Sequence, residues 1–147
     1  MVDIVETQIR SRMMAAVRGK DTKPELIVRR FLHRKGFRFR LHVANLPGRP
    51  DLVFRKHKVA LFVHGCFWHR HHGCRYATSP QQNAQFWSEK FDANVARDKR
   101  NVKRLIEAGW RVIIVWECSL RRAQAVAQLD PLCDLILHSD APIAEWS

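Results

Sequence analysis

The stretch "WRVIIVW", residues 110–116, restricts the possible folds more than any other part of the chain. Arg111 is its only charged residue, so as a strand it has no face to offer to water. A strand of that kind belongs at the centre of a sheet, in parallel pairing, with helices covering both faces. This predicts an α/β domain. A long helix precedes it over about residues 83–108, with Phe91, Val95, Val102, Leu105 and Ile106 inward and Lys90, Arg97, Arg100, Lys103 and Arg104 outward. Gly109 ends that helix.

Upstream, "DTKPELIVRRFLHRKG" reads as a helix. Thr22 is its N-cap and Glu25 the capping-box partner; Leu26, Ile27, Phe31 and Leu32 form the buried stripe, and Gly36 is the stop. "FRFRLHV" alternates apolar and basic residues and predicts a half-buried strand. "DLVF" and "VALFV" flank the polar turn "RKHK" and predict a hairpin. A last helix is expected near Leu120 to Gln128, ahead of a tail to which the pattern assigns no structure. The order is α, β, β, β, α, β, α, a mixed central sheet flanked by helices. With no repeats and no linker, residues 1–147 read as one domain: an N-terminal arm over 1–21, a core over 22–128 and a tail over 129–147.

Lys and Arg number 26 against 14 Asp and Glu, a net charge of 26 − 14 = +12. A pI near 10.5 points to a polyanionic partner, nucleic acid first. An anionic membrane is the weaker reading, because no apolar run approaches the roughly 18 residues of a spanning helix. The opening "MVDIVETQIRSRMM" carries acidic residues and no apolar core of a signal peptide, so the expected location is the cytoplasm. Cysteines kept reduced there serve as metal ligands or buried thiols.

"LPGRPDLVF" puts Pro50 and Asp51 at the mouth of the first hairpin strand, and the second strand runs out at Val63 and His64. A carboxylate there, with carbonyl oxygens of the neighbouring strand end, could hold a hard cation such as Mg²⁺. A Pro-Asp pair is about as often a turn starter. The helix, three strands opening with Pro-Asp, then helix and strand resemble the PD-(D/E)xK nucleases, which implies a restriction-endonuclease-like core. That group's Glu-x-Lys is missing from "ALFVHG", where His64 stands instead and His69 follows.

Four motifs in order, "LPGRPDLVF", "HGCFWHRHHGC", "FWSEKFDANVARD" and "GWRVIIVWEC", resemble those of the very-short-patch-repair DNA mismatch endonucleases over about Arg10 to Leu120. The resemblance implies a Mg²⁺-dependent enzyme that nicks one strand next to a T·G mismatch left by 5-methylcytosine deamination. It implies Asp51 and the main-chain carbonyl of Val63 as metal ligands. His69 is the candidate to activate water, since a neutral imidazole accepts a proton near physiological pH. His64 would contact the scissile phosphate or a water at the metal. Glu25 is explained by its capping box, and the resemblance adds a place near the metal waters.

Cys66, His71 and Cys74 form C-x4-H-x2-C, and Cys118 could close a tetrahedral structural zinc site. The alternatives are buried thiols with surface histidines, or His72 in place of His71. Cys133 reads as a small buried hydrophobe. Phe67 and Trp68 would by composition alone be core rings. The resemblance makes them wedges driven between base pairs, with Trp87 as a third aromatic and Met14 entering from the opposite groove on the arm. A single nick needs only a monomer, which is the expected state, and a repair polymerase and mismatch-repair proteins are the candidate partners that would act on the nick. A zinc-stabilised DNA-binding module without catalysis is the competing class. It has no need of Asp51, His64 and His69 at one strand end.

Overall fold

A computed structural model describes residues 22–121 and 129–147. The arm over 1–21, Met14 included, lies outside the described residues, as does the helix expected near Leu120 to Gln128 beyond residue 121.

Helix α1 spans Lys23–Arg34, with the Thr22 hydroxyl accepting from the Glu25 N–H at 3.4 Å. It stops where Gly36 takes φ +90, a left-handed conformation that costs glycine least. The Phe37 N–H then donates to the Leu32 carbonyl and the Gly36 N–H to that of His33, satisfying carbonyls the helix leaves open. Its buried residues are Glu25, Val28, Phe31 and Leu32. Leu26 and Ile27, expected in the stripe, are only half-buried, because the helix turns Glu25 and Val28 to the sheet instead.

The sheet has five strands in chain order: β1 (Arg40–Leu41), β2 (Leu52–Phe54), β3 (Val59–His64), β4 (Arg111–Trp116) and β5 (Ile143–Trp146). Pairings β1–β2 and β2–β3 are antiparallel, and β3–β4 and β4–β5 parallel. The hairpin and the parallel central strand are where the sequence puts them. The strand expected over 37–43 shrinks to two exposed residues. His42 at φ +48 turns the chain there, while Phe37 and Phe39 leave the ladder to pack on the Phe54 ring.

Alternation along β3 and β4 explains why both are so apolar. Val59, Leu61, Ile113 and Val115 face α1 and a helix α3 (Asp130–His138) in one buried cluster. Ala60, Phe62, Val112, Ile114 and Trp116 face helix α2 (Ala84–Glu107) in the other. On α2 the buried residues are Trp87, Phe91 and Leu105, whereas Ile106, expected inward, is 36% exposed. The pattern assigned nothing to the tail, yet it supplies α3 and the edge strand β5. Arg111 ties it down, donating to the carbonyls of Leu135, Ile136 and Ser139 at the end of α3 and to that of His57 in the hairpin turn.

Candidate active site

The register His64↔Trp116 places the ends of β3 and β4 side by side, and the sequence-predicted groups gather around them. A cleft of about 640 Å³ opens there, lined by Glu25, Asp51, Val63, His64, Trp68, His69 and Asp98 among others. Arg49, Lys90 and Arg97 share its walls, so the cleft is cationic around an acidic floor.

Asp51 precedes β2, and its Oδ2 accepts from the Val63 N–H at 2.7 Å, fixing the carboxyl against the end of β3. Burial pushes this carboxyl up to about 7 against the lowering effect of that N–H, and the neighbouring charge of Glu25 adds to the rise. Glu25 is 2% exposed. Its carboxylate accepts from Arg29 Nη1 at 3.1 Å and lies 2.9 Å from His42 Nε2 through both oxygens. Toward an ionised carboxylate, which only accepts, His42 Nε2 is the donor. The Glu25 backbone N–H meets the cap while the side chain turns into the cleft, so the capping box does not account for the residue. Asp51, Glu25 and His42 bring ligand atoms within 4.8 Å of one another. A buried and a half-buried carboxyl facing each other repel when both are ionised, and a hard divalent cation relieves that repulsion.

Opposite them, His69 Nδ1 lies 2.6 Å from Asp98 Oδ2. An ionised carboxylate only accepts, so Nδ1 is the donor of this bond, and in the neutral imidazole the Nε2 lone pair is the one left to accept. The His64 ring stacks on His69 at 3.8 Å between centroids and 5° between planes. His64 is 6% exposed, and burial together with the adjacent imidazole lowers its pKa to about 3. It is therefore neutral at physiological pH. Its Nδ1 is buried and meets no hydrogen-bond partner among the described residues.

The motif "FWSEKFDANVARD" becomes intelligible on α2. Trp87, Phe91, Asn94 and Asp98 recur at i, i+4, i+7 and i+11 and form one stripe facing the loop after β3. Asn94 Nδ2 donates to the Trp68 carbonyl at 3.2 Å. Phe67 packs edge-on against Trp68, Trp87 and Phe91 at 4.9, 5.8 and 5.1 Å. Trp87 is 4% exposed within that cluster, whereas Phe67 and Trp68 are half-buried and Trp68 reaches the cleft.

Beyond Trp116, donor atoms of Cys66, His71, Cys74 and Cys118 converge within 4.8 Å. The Cys118 N–H donates to Cys66 Sγ at 3.3 Å, and His71 Nδ1 lies 3.5 Å from Cys118 Sγ. His71 also stacks on the Trp116 ring at 4.2 Å, while His72 is exposed. Burial pushes the Cys66 thiol up to about 12 and raises Cys118 as well. At Cys74 burial raises the value too, but N–H groups of Tyr76 and Ala77 and the neighbouring thiols outweigh it, and the net shift is downward. Three sulfurs and an imidazole at this spacing suit a tetrahedral soft-ligand ion, and such a closed set leaves no coordination position for a substrate. Cys133 is half-buried against the core, away from the cluster.

The sequence missed His42, Asn94 and Asp98. Asp98 had a signal, its place eleven residues after Trp87 on one helical stripe. His42 had none, since only the turn after β1 brings it to Glu25. Among the described residues, no helix is long and apolar enough to cross a membrane.

Residues 2–75 match the family model described as DNA mismatch endonuclease Vsr. The type II nicking enzyme V.XorIIP of Xanthomonas oryzae pv. oryzae is 49% identical over 120 residues, covering 82% of this chain and 88% of that protein. The DNA mismatch endonuclease Vsr of Escherichia coli K12 is 46% identical over 121 residues, covering 82% and 77%. The type II nicking enzyme V.NaeI of Lentzea aerocolonigenes is 40% identical over 130 residues, covering 84% and 76%.

Proposed function

The chain belongs to the Vsr family of DNA mismatch endonucleases, and from that premise we propose that it nicks one DNA strand beside a T·G mismatch with Mg²⁺ as its catalytic ion. By that membership it is an endonuclease that acts on DNA in mismatch repair. The element order supports a restriction-endonuclease-like core: helix, antiparallel β1 to β3, helix, then β4 parallel to β3.

One observation carries the catalytic reading: the Asp51–Glu25 carboxyl pair and the His69–Asp98 pair line the same cleft. Asp51 and the Val63 carbonyl would hold Mg²⁺, with Glu25 beside them, and the ion would supply positive charge against the scissile phosphate and the leaving oxygen. His69 takes the proton of the attacking water at Nε2. Asp98 then stabilises the imidazolium, as an oriented carboxylate does for a general base. Neutral His64, stacked on His69, adds no competing positive charge and offers a ring N–H to a phosphate oxygen. Arg49 and Arg97 meet the flanking phosphates. The water oxygen bonds to phosphorus, the ester bond breaks, and the nicked strand is left for a repair polymerase. Zinc at Cys66, His71, Cys74 and Cys118 has a structural role only. A binding module would have no use for an oriented imidazole lone pair beside two carboxyls.

The test is nicking of a T·G duplex and its fully paired counterpart with and without Mg²⁺. Nicking of the mismatched duplex alone, lost in Asp51→Asn with binding retained, is the expected result. Equal nicking of both duplexes would overturn the mismatch reading, and undiminished nicking by Asp51→Asn the metal site.

A further inference from the structure

Arg70 stands between the proposed base His69 and the proposed zinc ligand His71, in a chain whose charge suits DNA. Its expected use is therefore a phosphate contact. The structure engages it otherwise. Its Nη1 donates to the carbonyls of Phe67 and Thr78 at 3.3 and 2.8 Å. Its Nη2 donates to the Ala77 carbonyl at 3.1 Å and the Ser79 hydroxyl at 3.0 Å. All four acceptors are neutral, and they lie on two separate pieces of chain. The guanidinium also stands 4.1 Å from the centroid of Phe91 and 5.8 Å from that of Phe67. Its backbone has φ +54, which a side chain with a Cβ adopts only when its surroundings hold it there.

A planar fork with five donors can hold four acceptors on two sides while lying flat over a ring, whereas a lysine ammonium has only three donors and no plane to stack. Arg70 thus joins three things: the turn bearing Phe67 and Trp68, the segment 77–79, and the α2 stripe that carries Phe91. Asn94 holds the same turn from the other side through the Trp68 carbonyl. A ring that is to enter a base step gains affinity by being ordered beforehand, since no freedom is then lost on insertion.

We propose that Arg70 is a positioning residue that fixes the Phe67–Trp68 turn for insertion and so sets the preference for mismatched over paired DNA, without touching DNA itself. This rests on the wedge reading of those two rings. Arg70→Lys retains the charge and removes the fork. In the full-length chain it lowers affinity for T·G duplex about tenfold, the scale of ordering a rotamer-rich contact. Affinity for paired duplex and the salt dependence stay as they were.

The experiment is a binding titration on both duplexes at several salt concentrations for the parent, Arg70→Lys, Trp68→Ala and the double variant, each with a thermal melt. If Arg70 acts through the rings, Arg70→Lys has a smaller effect in the Trp68→Ala background, where only Phe67 is left to position. Equal weakening on both duplexes with a salt slope reduced by about one means a phosphate contact and overturns the proposal. An unchanged T·G preference, or an undiminished effect in the Trp68→Ala background, overturns it too. Unchanged preference in Trp68→Ala refutes the wedge reading itself and the proposal with it, whereas loss there alone refutes only the role of Arg70. Should Arg70→Lys melt below the assay temperature, Ser79→Ala removes one acceptor in a fold otherwise intact. A fall of about threefold on T·G duplex alone is then expected, the scale of one hydrogen bond. No fall overturns the proposal.

Discussion

Two ligand clusters share one tryptophan. His71 of the sulfur cluster stacks on the Trp116 ring, and His64 of the cleft meets its edge at 5.3 Å. On one side, soft thiol ligands surround a closed centre; on the other, hard carboxyls line an open cleft among histidines. Both sets repel internally when ionised without a cation. What separates them is access. A closed set can only bind its ion, whereas an open one leaves room for a phosphate and a water. On the proposed reading, the same physics of crowded ligands would support stability in one place and chemistry in the other.

The strongest way to break this contrast is to disrupt the sulfur cluster. About one zinc per chain is expected by metal analysis, and Cys66→Ser or Cys118→Ser should unfold or aggregate the protein, since structural zinc contributes about 10 kcal/mol or more to folding. Thermal melts after chelation check it, and a chain that stays folded and metal-free would make the cluster one of buried thiols.

On the open side, His69→Ala should slow nicking by about 10²- to 10⁴-fold with the melt unchanged. Asp98→Asn should slow it comparably, by up to about 10⁴-fold, because an amide neither holds the His69 tautomer nor stabilises the imidazolium. Full activity of Asp98→Asn in single-turnover nicking would assign the base elsewhere.

Smaller still is an effect on stability alone. Burial raises the Asp51 carboxyl to about 7 in the metal-free protein, above its ordinary 3.8. A carboxyl raised on folding contributes stability that is present below pH 3.8 and lost as the pH rises through 7. Without Mg²⁺, Asp51→Asn should therefore raise the melting temperature at pH 8 and leave it unaltered near pH 4. Equal melts of the two proteins at pH 8 would mean that the pair is not strained.

The mildest test sits on the rim. Trp68→Ala should lose about 1 to 3 kcal/mol of binding to T·G duplex, the scale of base–aromatic stacking, with little change on paired duplex. If Trp68 is instead a core ring, the substitution lowers the melting temperature and weakens both duplexes alike.

Local order in the sequence determined a good part of this protein. The apolar run 110–116 and the polar turn 55–58 place three strands, because burial on both faces and tight reversal are properties of consecutive residues. Cys66, His71 and Cys74 are legible for the same reason, their spacing lying within nine residues. Only the tertiary structure decided the rest. Strand β5 exists because β4 offers an open edge, and the tail has no alternation strong enough to announce it. Spacing alone explained Glu25 as a cap partner and only the resemblance put it near the metal; the fold turns its carboxylate toward His42 and Asp51. His69 gains its ring partner from an aspartate twenty-nine positions away on another element. Arg70, which the sequence left without a role, donates to carbonyls of Phe67, Ala77 and Thr78 on two pieces of chain. In each case the partner is distant in the chain, and packing of α1 and α2 on opposite faces of one sheet sets the distance between them.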